Sequence, residues 1–101
     1  QVILNLLRNA IEASAEGRPG HVQLAIERLP EGLAITVDDD GPGVQEESRQ
    51  LIFTPFHTTK EQGTGLGLAV SFAIVQLHGG SLAVEVAPIG GARFRLVIPL
   101  D

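Results

Sequence analysis

Four short stretches of this chain alternate apolar with other side chains at a period of two, and a turn separates the members of each pair. Val22, Leu24 and Ile26 interleave with Gln23 and Glu27, Pro30-Glu31-Gly32 supplies a turn, and Leu33, Ile35 and Val37 alternate again. Leu82, Val84 and Val86 lead through a second turn at 88–91 into Phe94, Leu96 and Ile98. Successive side chains on a strand point to opposite faces, so this spacing predicts two β-hairpins, each with one face to bury. Residues 2–16 place Ile3, Leu6, Leu7, Ala10, Ile11 and Ala13 at the 3.6-residue period of an amphipathic helix, which Gly17, Pro19 and Gly20 end. The run LGLAVSFAIVQL at 66–77 is apolar on nearly every side and predicts a buried helix, entered through Gly63 and Gly65 and stopped by Gly79-Gly80. Between the hairpins, 38–43 reads as a loop, 45–53 as a short helix and 54–63 as a mobile surface loop. Two helices and two hairpins, each with one apolar face, predict a two-layer α/β (α+β) sandwich. Its largely antiparallel sheet carries the helices on one side.

A length of 101 residues allows one domain, and a chain of that size buries roughly 65% of its unfolded surface without needing staples. The absence of Cys removes disulfides, thiolate metal sites and cysteine nucleophiles. A net charge of −5, with Lys60 the only lysine, argues against a grip on the nucleic-acid backbone. The apolar run at 66–77 is too short for the roughly 18–20 residues that span a bilayer. The chain opens inside a helical pattern and contains no Met, so it reads as one domain over 1–101, truncated at its N-terminus and cut from a longer protein.

Three polar patterns carry chemistry. Asn5, Arg8, Asn9, Glu12 and Glu16 share one face of the first helix. A solvated face explains the charges, but Asn is a poor helix former there, and its neutral carboxamide oxygen suits a magnesium ion shared with phosphates. Asp38-Asp39-Asp40-Gly41-Pro42-Gly43 follows a strand directly. It reads either as an exposed turn or as a carboxylate aimed at a ligand N–H with glycines that let the ligand approach. Gly63-Thr64-Gly65-Leu66-Gly67 stands before a helix, as a glycine hinge or as an anion site of backbone N–H groups. It matches neither a P-loop nor a strict dinucleotide fingerprint.

In chain order, N-x-x-x-N-A (5–10), D-x-G-P-G (39–43), F-T-P-F-H-T-T-K (53–60), G-T-G-L-G-L (63–68) and H-G-G (78–80) resemble the catalytic, ATP-binding domain of bacterial sensor histidine kinases, nearest the nitrogen-regulation type with a short lid. That domain belongs to the wider family shared by gyrase, Hsp90, histidine kinases and MutL, whose Bergerat fold is a two-layer sandwich with a mixed sheet. The resemblance implies ATP and Mg2+ as ligands. It implies that Asn9 coordinates the metal with Asn5 in support, that Glu12 belongs to the nucleotide-binding set, and that Asp39 accepts from the adenine amine beside Gly41 and Gly43. Phe53 and Phe56 fall in the F box, Thr58, Thr59 and Lys60 in the lid, and Gly63, Thr64, Gly65, Leu66 and Gly67 in the loop that holds the triphosphate.

In the hydrolytic branches a glutamate precedes the metal asparagine by one turn and activates water. Asn5 stands there and offers no base, so the implied chemistry is phosphoryl transfer to a partner side chain. The implied partners are a separate dimerisation and phosphoacceptor domain and, through the full-length kinase, a response regulator. The parent is expected to be homodimeric, and the domain cytoplasmic whether the parent is membrane-anchored or soluble. An anti-sigma-type serine kinase and an ATPase of the same fold are the alternatives. None of His21, His57 and His78 has the H-E or H-D context of a phosphoacceptor. His21 reads as exposed, His57 as an exposed lid residue and His78 as a helix end. Ala92 replaces the Thr or Ser common in relatives, which predicts a lost water-mediated contact near adenine. The family also has a strand and the start of the first helix before the position of Gln1.

Overall fold

A computed structural model of the chain describes residues 2–14, 20–54 and 67–99. Helix α1 (Val2–Ser14) leads to strands β1 (Val22–Leu29) and β2 (Gly32–Asp39), two 3-10 turns, helix α2 (Gly67–Leu77) and strands β3 (Ser81–Val86) and β4 (Ala92–Pro99). Each predicted hairpin forms, and the two interlock as a four-stranded antiparallel sheet in the order β1-β2-β4-β3. The register explains how sequence period becomes a core. Leu24, Val37, Phe94 and Val84 lie in one row across the sheet, and Ile26, Ile35, Leu96 and Leu82 in the next, all on one face.

On that face Leu6 and Ala10 of α1 and Val75 of α2 meet Val37, Phe94, Leu96, Leu82 and Val84 in one buried cluster. The Phe53 ring stacks on Phe72 at 5.2 Å and meets Phe94 edge-on at 6.2 Å, which ties the segment after β2 to α2 and to the sheet.

Three expectations need correction. Helix α1 lies mainly over β2 and α2, so β1 keeps its apolar face open, and Ile26 is 64% exposed alongside Leu24, Leu4 and Ile11. The pattern identified a face able to be buried without saying which neighbour covers it. Helix α2, apolar all round, buries only Ser71 and Val75 completely, and Leu77 is 86% exposed. It rests on the sheet from one side, so composition alone could not locate its outer face. Residues 45–53 form two separate turns, Glu46–Ser48 and Leu51–Phe53, instead of one helix. Only Ile52 and Phe53 at the end of that stretch pack against the core, and no apolar stripe holds a longer helix together.

Candidate functional site

Three successive carboxylates at a strand end repel one another unless each finds its own partner. Alternation along β2 separates them. Asp38 points to the open face of the sheet, where its register partner Arg93 donates to it twice, from Nε to Oδ1 and from Nη2 to Oδ2, both at 2.8 Å. The hydrogen bond to Asp38 pushes the Arg93 guanidinium up from its usual value. Asp40 lies 3.5 Å from the ring of His21, which is largely solvent-exposed.

Asp39 turns to the helix face and is 1% exposed. Its Oδ1 accepts the Gly41 N–H at 2.9 Å and the Ala92 N–H at 3.2 Å. Its Oδ2 is equally buried, and among the described residues no donor reaches it. An unmet buried carboxylate oxygen is costly, so such an atom marks a place where a ligand donor belongs. The backbone N–H of Ala92 thus holds the carboxylate directly, whatever its missing hydroxyl would have added.

The walls around that carboxylate are bare backbone. Gly91 donates its N–H to Asp39 O at 3.1 Å, and a Cβ there would overlap Asp39 Oδ1 and Asp39 O and come within 2.7 Å of the Gly41 nitrogen. Facing it, Gly43 sits at φ 78°, and a Cβ on it would stand 3.6 Å from Gly91 O. The turn before β4 therefore closes on the loop after β2 because Gly91 lacks a side chain, while Gly43 is required for its backbone conformation.

Helix α1 supplies the polar stripe. Asn5 and Asn9 are half-buried one turn apart, and Glu12 is exposed. Asn5 donates from Nδ2 to the hydroxyl of Ser71, which is fully buried in α2, at 3.1 Å. This bond ties one helix to the other at the stripe. Ser71→Ala is expected to cost about 1 kcal/mol. A melting curve should show this as a fall of about 4–8 °C for a domain of this size. Gly67 opens α2 with space around it. His78 stands at the end of α2 and donates from Nδ1 to Ile74 O at 2.8 Å, as a helix-end residue should.

Asp39, Gly41 and Gly43 are thus brought together, and Asn5 is locked to α2. The expected contributions of Phe56, His57, Thr58, Thr59, Lys60, Gly63, Thr64, Gly65 and Leu66 lie outside the described residues. Sequence reasoning missed Ser71, Gly91 and Arg93. Gly91 sat inside a segment read only as a turn, and Arg93 looked like a surface residue of a strand. The strand register that pairs Asp38 with Arg93 was the signal able to find them, and it requires knowing that β4 lies beside β2.

The whole chain, residues 1–101, matches the family described as histidine kinase-, DNA gyrase B- and HSP90-like ATPase. The chain belongs to this family. It is 48% identical over 90 residues to the C4-dicarboxylate transport sensor protein DctB of Rhizobium meliloti (strain 1021), covering 89% of this chain and 14% of that protein. The solved catalytic domain of the histidine kinase ThkA superposes with a TM-score of 0.86 at 40% identity, over 98% of this chain and 64% of that one. Full-length ShkA, solved in complex with AMPPNP, superposes at 0.83 with 31% identity, over 97% of this chain and 20% of that one. The chain is therefore a catalytic, ATP-binding domain of the sensor histidine kinase kind, and it spans a small part of the full-length relatives. Among the described residues no helix is long and apolar enough to cross a membrane.

Proposed function

We propose that this domain binds Mg·ATP with the adenine amine on Asp39 and presents the γ-phosphate to a histidine on a separate dimerisation and phosphoacceptor domain. The observation that carries the reading is the Asp39 carboxylate, with Oδ1 committed to two backbone N–H groups and Oδ2 buried and waiting for a donor. Adenine presents an exocyclic N–H there, whereas guanine presents a carbonyl oxygen that would repel the carboxylate. Gly41, Gly43 and Gly91 put bare backbone beside that carboxylate, where the base would lie.

The donor set fits magnesium. The Asn9 carboxamide is a hard, neutral oxygen ligand that leaves the remaining coordination positions to phosphates and water. When bound, the metal neutralises phosphate charge in transfer. Asn5, held by Ser71, orients this face of α1 and supplies no base, which favours transfer to a side chain over hydrolysis. Glu12 lies further along the same face. Thr59, Lys60, Gly63, Thr64, Gly65, Leu66 and Gly67 complete the triphosphate site, with backbone N–H groups and the one lysine as its donors. The parent kinase is a homodimer that passes the phosphoryl group to a response regulator, with this domain in the cytoplasm.

Calorimetry tests the metal assignment. Wild-type chain should bind ATP more tightly with Mg2+ than with EDTA, and Asn9→Ala should lose that gain, about tenfold or more, while retaining metal-free binding. Steady hydrolysis of ATP by the chain alone, abolished in Asn5→Ala, would contradict the transfer reading.

A further inference from the structure

The ladder between β2 and β4 ends on a charged pair. Asp38 and Arg93 are its last register partners, and on its other side Arg93 stands opposite Glu85 of β3. Arg93 therefore lies between carboxylates on both neighbouring strands, and Glu85 adds its attraction to that of Asp38. Asp38 is 4% exposed, so solvent screens the pair less than it would an exposed one. Beyond this rung the two segments are joined differently. Gly91 and Ala92 send their N–H groups to Asp39 O and Asp39 Oδ1, at 3.1 and 3.2 Å. Ala92 adjoins Arg93 in the chain and Asp39 adjoins Asp38, so the charged pair sits on the open face one residue from the carboxylate on the helix face.

A buried ion pair adds little net stability, because desolvation of both charges offsets most of their attraction. What the two N–H···O bonds at 2.8 Å supply is geometry, since a guanidinium fork on a carboxylate fixes both spacing and orientation. The carboxylate next door needs that precision. Its bond from Ala92 already lies at the long end of the usual range of about 2.7–3.2 Å, so a small slip of β4 along β2 loses it. Removing the Arg93 charge would also leave Asp38 buried and unpaired, and relief comes from moving this end of the ladder toward water.

We propose that Arg93 is a positioning residue for nucleotide recognition: its fork on Asp38 fixes the start of β4 against the end of β2, so that Ala92 and Gly91 hold the Asp39 carboxylate where it meets the adenine amine. The proposal rests on the assignment of adenine to Asp39. Arg93 acts from the opposite face of the sheet and through its neighbours, without touching the nucleotide.

Calorimetry with ATP and with purine riboside triphosphate, which lacks the exocyclic amine, reads that role as a ratio of affinities. Wild type should prefer ATP by about tenfold or more, and Arg93→Gln by about threefold or less. Ile98→Val trims a side chain packed against the core near the far end of β4, and should lower the melting temperature while keeping the wild-type ratio. If glutamine unsettles the sheet, Arg93→Lys keeps the charge and loses the fork, and the ratio should still fall about twofold or more. Nucleotide-free 1H–15N spectra read the clamp independently of adenine. The Gly41 amide, bonded to Asp39 Oδ1, should shift in Arg93→Gln and stay in place in Ile98→Val. A folded Arg93→Gln with the wild-type ratio, an unmoved Gly41 amide, or an equal loss of preference in Ile98→Val would overturn the proposal. A wild type without preference for ATP, with the Gly41 amide still shifting in Arg93→Gln, would overturn the adenine assignment and support the clamp on Asp39 alone.

Discussion

Gly91→Ala is expected to remove nucleotide binding while the two hairpins stay paired. The added Cβ would overlap the Asp39 carboxylate oxygen Oδ1 and Asp39 O and would crowd the Gly41 nitrogen at 2.7 Å. Two of those atoms are backbone, and the third belongs to a carboxylate that is 1% exposed and held by two N–H groups, so nothing nearby can swing aside. Relief must come from moving Asp39 or separating the 91–92 backbone from β2, and overpacking of this kind costs about 1–3 kcal/mol. Either movement displaces the acceptor proposed for adenine, so ATP affinity measured by calorimetry should fall about a hundredfold or more. Gly90→Ala separates space from backbone conformation. Gly90 has φ 110° with open surroundings, so that variant should lose stability through strain and keep its affinity.

Phe94→Ala should have the largest effect on stability. Phe94 is 1% exposed, lies between Val37 and Val84 in a row of the sheet, and makes a T-shaped contact with the Phe53 ring at 6.2 Å. Truncating a buried phenylalanine costs about 3–5 kcal/mol, a large share of the 5–15 kcal/mol that holds a domain of this kind together. Denaturant titration should show that loss at nearly unchanged m-value, and thermal melting a fall of about 12 °C or more. Leu77→Ala removes an equally apolar side chain that is 86% exposed, and should stay within about 0.5 kcal/mol of wild type. The contrast also measures how far hydrophobicity misleads about burial in α2.

The strands were legible because their period of two is a direct consequence of the pleat, and the turns at Pro30-Glu31 and 88–91 mark where each hairpin reverses. What the period could not supply was neighbourhood. Leu24 and Ile26 alternate as faithfully as Ile35 and Val37, yet only the latter are buried, because α1 lies mainly over β2. The same gap explains α2, whose uniform apolarity gave no outward side. At the site, the Asp-Gly-Pro-Gly loop announced a carboxylate with bare backbone around it, and the buried, unmet Oδ2 is what supports the proposed ligand acceptor over a plain exposed turn. Gly91 and Arg93 were silent because their importance comes from a strand 50 or so residues away, through register that local spacing does not encode. The separation of the three aspartates is a similar case, since a partner such as Arg93 becomes visible only when β4 is placed beside β2.

In the proposed complex Asp39 Oδ2 receives the adenine amine. Asp39→Asn is the direct probe, because the amide oxygen can keep both backbone N–H bonds while the amide nitrogen replaces the acceptor by a donor. Calorimetry should compare ATP with purine riboside triphosphate, which lacks the exocyclic amine, on wild type and on Asp39→Asn. Wild type should prefer ATP by about tenfold or more, and Asp39→Asn should bind ATP about a hundredfold more weakly and no longer distinguish the two nucleotides. An Asp39→Asn variant that is folded and still prefers ATP by the wild-type factor would contradict the account.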